Sequence, residues 1–130
     1  DRRGFEDQLQ PLCVREQVGV INYYALARGF LTGKYRTEQD VCKSPRGLAA
    51  AQNYLNPRGL RTLAALDLTA QKHTATPGLI ALAWQMVQPA IIAPIASATS
   101  LTQLEELVAS THIALDAQDL HRLGQASAAD

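Results

Sequence analysis

Two short apolar runs frame the chain, Val18 to Tyr23 and Ala90 to Ile95. Both are nearly continuous and rich in β-branched residues, the pattern of a parallel strand covered on both faces. The segments around them repeat at helical spacing instead. Phe5, Leu9, Leu12 and Cys13 fall on one face of a helical stretch over 5–17, in which Pro11 starts a second short helix or kinks the first. Gly19 then acts as a terminator. A helix over 60–73 turns Leu63, Leu66 and Ala70 inward. Thr76 and Pro77 read as the N-cap and first helical residue of the next helix. Its Leu79, Leu82, Ala83, Met86 and Val87 form an apolar stripe, and Pro89 ends it. Ser100-Leu101-Thr102-Gln103 is a capping box opening a helix with Leu101, Leu104 and Val108 on one face. Asp116 to Asp119 begins a last helix, with Leu120 and Leu123 inward and a frayed end over 127–130. Lys34 to Pro57 is polar and punctuated by Ser44-Pro45, Gly47, Asn53 and Asn56-Pro57. It reads as a long loop with at most one helical turn over 48–52, and such a loop inside a compact domain usually has a function.

The order helix, strand, helix, helix, strand, helix, helix predicts one α/β domain over residues 1–130 with a right-handed crossover between parallel strands. Two strands alone leave unpaired edges and open apolar faces. Further strands are therefore expected from the remainder of a longer parent or from another copy of the chain. The start at Asp1, without a methionine, fits truncation of such a parent.

Composition narrows the class. Twelve basic and twelve acidic side chains give zero formal charge, so neither nucleic acid nor an anionic membrane surface is an expected partner. No apolar run approaches a membrane span, and no signal peptide opens the chain. The two cysteines, Cys13 and Cys42, form no Cys-x-x-Cys pair and fit a reducing cytoplasm, Cys13 buried and Cys42 exposed. His73, His112 and His121 are isolated, so surface helix positions are expected rather than metal ligation. Trp84 reads as packing and Glu105-Glu106 as a solvated helix face. Nothing suggests a nucleophile-base-acid triad.

The chemistry concentrates after the two strands. Behind the first come Ala25, Leu26, Ala27, Arg28 and Gly29. Small residues and glycine let backbone amides approach an anion, and Arg28 supplies charge. The plainer alternative makes Tyr23 and Tyr24 ordinary strand-end aromatics. A magnesium-nucleotide P-loop is excluded: only three residues separate Gly29 from Gly33, and Tyr35, not Ser or Thr, follows Lys34. Behind the second strand, Ser97, Thr99 and Ser100 offer hydroxyls at a helix start, where free N–H groups welcome a phosphate. The plainer alternative there is that Ser100 and Gln103 merely cap the helix.

Tyr23 to Tyr35 resembles the segment after the seventh barrel strand of the aldo-keto reductases, Tyr-Ser-Pro-Leu-Ala-x-Gly-x-Leu-Thr-Gly-Lys-Tyr. Tyr24 stands where that pattern has serine, and Ala25 where it has proline. Pro94 to Leu107 resembles the family's Pro-Ile-Pro-Gly-Ala-x-x-x-x-Gln-Leu-Glu-Glu-Asn, with Leu107 at the asparagine. The resemblance covers nearly the whole chain and implies the C-terminal part of an eightfold β/α (TIM) barrel, from the helix after strand six onward. It implies an NADP(H) site rather than one for NAD: Tyr23 as nicotinamide platform, Tyr24 beside it, Leu26, Arg28 and Gly29 along the diphosphate. Ser97, Thr99, Ser100, Gln103 and Glu106 would take the ribose, its 2′-phosphate and the adenine. Gln52, Asn53 and Tyr54, in the long loop, become possible further contacts.

The family reduces carbonyl compounds with a tyrosine, a lysine, an aspartate and a histidine from the first half of its barrel. No residue of this chain matches those positions, so no catalytic residue is expected in it. The resemblance thus implies part of a cytoplasmic NADP(H)-dependent oxidoreductase that acts on a small carbonyl substrate through its parent. The alternative is a non-catalytic nucleotide-binding or assembly module pairing with another half barrel or a partner protein.

Overall fold

A computed structural model describes residues 2–128. The chain opens with a helical turn α1 (Arg2–Gly4), a wide π-helical stretch Phe5–Leu9 and α2 (Gln10–Arg15). Pro11 does not break this segment. Its ring crowds the preceding turn, and the helix widens there, with the Gln10 amide donating to the Phe5 carbonyl. Cys13 is buried, but Leu9 and Leu12 are exposed, so the predicted apolar face is only partly covered.

The strands are shorter than the apolar runs: β1 is Val20–Asn22 and β2 is Ile91–Pro94. They pair in parallel, Val20 opposite Ile91, Ile21 opposite Ala93 and Asn22 opposite Pro94, with an irregularity after Val20. The ladder is extended at both ends, where Val20 N donates to Ala90 O and Ile95 N to Asn22 O, each at 2.8 Å. The outer residues of the runs have no further strand to pair with among the described residues, which is why they lie outside the ladder.

The 34–57 stretch is more ordered than its polarity suggests. It holds a 3₁₀ segment, Glu38–Lys43, capped by Thr37, and a helix α3 (Gly47–Tyr54). The alanines at 49–51 favour that helix. α4 (Pro57–His73) follows at once, capped by Asn56, whose side chain accepts from the Gly59 amide at 2.9 Å. A Cβ on Gly59 would fall 1.8 Å from the Tyr54 carbonyl oxygen, so the tight junction of α3 and α4 requires glycine there. Next comes α5 (Pro77–Met86). Beyond β2 lie α6 (Leu101–Ala109), a 3₁₀ turn Ser110–His112 and α7 (Ala117–Ser127), the last opened by reciprocal capping between Asp116 and Asp119. The expected fraying at 129–130 lies outside the described residues.

The core sits among the helices. Leu63, Leu66 and Ala70 of α4 are buried as predicted, joined by Ile80 and Ala81 of α5, Leu123 of α7, and Phe30 and Tyr35 of the loop after β1. α5 departs from its predicted stripe: Ile80, Ala81, Leu82 and Ala83 are buried, whereas Leu79 and Met86 are half-buried and Val87 is exposed. That helix is covered on more than one side, by α4 and by the β1 loop, so periodicity under-reads its buried surface. Leu120 is half-buried. Trp84 packs against the core, with the Arg2 guanidinium 4.9 Å from its ring centroid. The sheet and α6 are the opposite case: Ile21, Ile92, Ile95, Leu101, Leu104 and Val108 are all more than half exposed. Their predicted apolar faces exist, but nothing among the described residues covers them.

Candidate functional site

Parallel pairing delivers the carboxyl ends of β1 and β2 to one edge, and the two loops singled out in the sequence start there side by side. This is the edge at which parallel α/β folds hold ligands.

The first loop is anchored from α5. Gln85 Nε2 donates to the carbonyls of Ala25 (2.8 Å) and Ala81 (2.9 Å), and Gln85 Oε1 accepts from Asn22 Nδ2. Asn22 Oδ1 is buried and has no hydrogen-bond partner among the described residues. Beyond buried Ala25 the backbone enters the left-handed region at Ala27 (φ 49°), Arg28 (φ 58°) and Gly29 (φ 90°), as it does at Tyr24 (φ 55°) just before. Such conformations are costly for residues with a Cβ and persist where the surroundings fix them. Here Ala27 N donates to Tyr24 O (2.7 Å), Gly29 N to Leu26 O (2.8 Å), and the Thr32 hydroxyl to Gly29 O (2.7 Å).

These bonds correct one expectation. The Ala27 and Gly29 amides turn back onto the loop's own carbonyls, so they do not cradle an anion. The loop presents side chains instead. The Arg28 guanidinium lies 4.7 Å from the Tyr24 ring centroid and forms no ion pair among the described residues. The Tyr24 ring in turn lies 4.6 Å from that of Tyr23, tilted by 47°. Tyr23 is 72% exposed, an aromatic face open to a ligand. Lys34 joins the site without having been expected there, since in sequence it stood out only against a P-loop. A Cβ on Gly29 would lie 2.8 Å from Lys34 Cε, so the glycine lets Lys34 fold back against the loop at Gly29, its ammonium 4.9 Å from the Tyr35 ring centroid.

The second loop leads into α6. Ser100 Oγ accepts from Gln103 N at 3.2 Å, as predicted for the cap. The reciprocal arm differs: Gln103 Oε1 reaches one residue further back, to the amide (2.8 Å) and hydroxyl (3.0 Å) of Thr99. Ser97, Thr99, Ser100, Gln103 and Glu106 are all exposed. A cleft of about 230 Å³ lies between the first loop, α5 and the later turns of α6, lined by Leu26 and Thr32 from the loop, Gly78 and Leu82 from α5, and Glu106 and Leu107 from α6. The fold thus puts Leu26 and Glu106 in one cleft. Tyr23, Tyr24 and Arg28 form a stacked group on the first loop, while Ser97, Thr99, Ser100 and Gln103 remain on the exposed start of α6.

Other candidates lie outside this cleft. Asn53 Nδ2 donates to the Ala49 carbonyl within α3, Gln52 is exposed, and Tyr54 stacks on Phe30 at 5.8 Å, bracing the first loop from beneath. His73 is half-buried rather than exposed. Its Nε2 lies 2.8 Å from the fully buried carboxylate of Asp119, which also receives Lys72 Nζ at 2.9 and 3.0 Å. Burial alone would raise the Asp119 pKa, but the bonds from His73, Lys72 and the Asp116 amide outweigh it and bring it from 3.8 down to about 2. This cluster ties the end of α4 to the start of α7. The described residues contain no group of side chains able to hold a metal ion, and no helix long and apolar enough to cross a membrane. Cys13 is buried and Cys42 exposed, both as free thiols.

Known proteins share this arrangement. The family model described as Aldo/keto reductase family matches residues 2–128. The uncharacterized oxidoreductase Mb2320 of Mycobacterium bovis is 36% identical over 127 residues, covering 95% of this chain and 38% of its own. An aldo-keto reductase of Schizosaccharomyces pombe, named yakc with the designation NADP(+), is 30% identical over 100 residues, 72% of this chain and 28% of that protein. The crystal structure of the thermostable aldo-keto reductase Tm1743, in complex with the inhibitor epalrestat, superposes with a TM-score of 0.68 at 24% identity, over 97% of this chain and 36% of that one. The chain spans between 28% and 38% of the length of the curated relatives it matches. At 24% identity the Tm1743 likeness speaks for an α/β fold similar to that of an aldo-keto reductase. The two strands end at one edge, and the family match spans every described residue: the chain belongs to the aldo/keto reductase family.

Proposed function

We propose that this chain supplies the nicotinamide-nucleotide-binding part of an oxidoreductase that interconverts carbonyl compounds and alcohols with NADP(H). The observation that carries the reading is the convergence of two loops at one strand edge. One bears an open aromatic ring and two cations without acidic partners among the described residues; the other bears a hydroxyl-rich helix start. The donor set fits a dinucleotide. Tyr23 offers a flat apolar face for the nicotinamide. Arg28 and Lys34 meet the diphosphate, on the loop that Leu26 and Gly29 shape. Ser97, Thr99, Ser100 and Gln103, at the positive end of α6, take the ribose and its 2′-phosphate. Glu106, in the shared cleft, reaches the adenine. NADP(H) is favoured over NAD(H) by these hydroxyls and by the designation of the yeast relative.

When bound, the nicotinamide supplies a hydride. The residues here hold and orient it; a donor for the developing alkoxide must come from elsewhere. The remaining strands of a (β/α)8 barrel, of which β1 and β2 would be the seventh and eighth, would provide it and would also cover Ile21, Ile92 and Ile95. Fluorescence titration of the purified chain tests this. Saturable binding, tighter for NADPH than for NADH, with no turnover of an aldehyde, is the expected result. Failure to bind either nucleotide overturns it.

A second reading draws on the exposed strand faces: a non-catalytic assembly module that pairs with another copy or a partner. A discrete homodimer in analytical ultracentrifugation, without nucleotide binding, would favour that reading.

A further inference from the structure

We infer that Tyr24 is a positioning residue: its ring holds the Arg28 guanidinium flat, so that the edge of the fork meets an incoming diphosphate. The inference rests on the anion-binding reading of the first loop.

Several other guanidinium groups here are held by carboxylates. Arg36 forms a two-pronged bond to Asp67 at 2.7 and 2.8 Å, and Arg2 an ion pair with Glu6 at 2.6 Å. A carboxylate neutralises the charge and occupies the donors. An aromatic ring does neither, because it contacts the face of the guanidinium and leaves the in-plane N–H groups open for a phosphate. Arg28 is half-buried, its guanidinium lies over Tyr24, and it has no acidic partner among the described residues. It is charged, oriented and unspent.

Tyr24 holds this arrangement at both ends. Its carbonyl accepts from Ala27 N, fixing the turn that presents Arg28, while its ring supports the side chain. The ring also contacts that of Tyr23, so Tyr24 touches both the proposed nicotinamide platform and the proposed diphosphate contact. The left-handed backbone at Tyr24 carries an energetic cost, and this double role is what it supports. Because the Ala27 and Gly29 amides are internally bonded, the loop's grip on an anion depends on its side chains, and so on their placement.

The test uses the full chain and two probes: inorganic pyrophosphate, followed through the Arg28 side-chain resonances by NMR, and NADPH, followed by fluorescence. Tyr24→Phe keeps the ring and should bind pyrophosphate within about twofold of the unaltered chain. Tyr24→Asn removes the ring but tolerates the left-handed backbone, and should weaken binding roughly three- to tenfold. In an Arg28→Gln background the same change should cost nothing more, which a merely structural role of Tyr24 would not produce. Equal binding by Tyr24→Asn, or additive losses in the double variant, overturns the inference. A measurement on the unaltered chain guards against a misfolded variant: the Arg28 protons should keep their ring-current shift when pyrophosphate saturates the site, and loss of that shift also overturns it. NADPH binding that is indifferent to the ring defeats this inference and leaves the proposed function standing. Ring-dependent pyrophosphate binding without NADPH binding does the reverse, and no binding of either probe defeats both.

Discussion

At the scale of single residues, Gly29 shows how closely backbone and chemistry are joined. Its φ of 90° suits glycine, and its missing side chain makes room for Lys34. Gly29→Ala should cost about 1–2 kcal/mol through the left-handed backbone alone. It should also displace Lys34 and so weaken pyrophosphate and NADPH binding. Urea denaturation and titration of the same sample would separate the two effects, and a variant that keeps full affinity would remove Lys34 from the site. Much of this loop was legible in the sequence, because Tyr23, Arg28 and Gly29 sit in a long motif with chemically distinctive residues. The stack of Arg28 on Tyr24 and the inward turn of the Gly29 amide were not. Both follow from positive φ values at Tyr24, Ala27, Arg28 and Gly29, and only Gly29 among these announces such a backbone in sequence.

At the scale of elements, the most consequential contact is the clamp of α4 onto α7 through Asp119. Its carboxyl titrates at about 2 when folded, against 3.8 as the reference for the unfolded chain. A depressed carboxylate pKa contributes stability that is fully present above the unfolded value and is lost as pH falls toward the folded one. The urea midpoint should therefore fall between about pH 4 and pH 2 in the native chain. Asp119→Asn should be less stable at pH 7 by about 2 kcal/mol, because the buried site keeps its donors and loses their charged acceptor. The gap should narrow from about pH 4 and close near pH 2, and a constant gap across this range would refute the clamp. The elements themselves were legible to different degrees. α4 and α7 declare themselves through local signals, an apolar period and a cap. The strand ends do not, because a parallel ladder extends only as far as its partner allows. α3 was hidden by the turn residues around its alanines, and the role of His73 was hidden because Asp119 lies 46 positions away in sequence.

For the whole molecule, the contrast between its two sides governs behaviour. The helical side buries Leu63, Leu66, Ile80 and Leu123, while Ile21, Ile92 and Ile95 stay open on the strand side. The purified chain should bind a hydrophobic dye there. Ile92→Lys should reduce that signal while changing the stability of the isolated chain by no more than about 0.5 kcal/mol. A large loss of stability would mean that the strand face is already covered. The proposed site is built at the boundary of the two sides, and Gln85 is its joint: one amide group bonds the end of β1, the first loop and α5 together. The loop cannot swing away as a hinged flap without breaking the bond from Gln85 to the Ala25 carbonyl. An anion would therefore meet a shape already set, so that capture by this loop is governed by diffusion and ionic strength rather than by the opening rate of a gate.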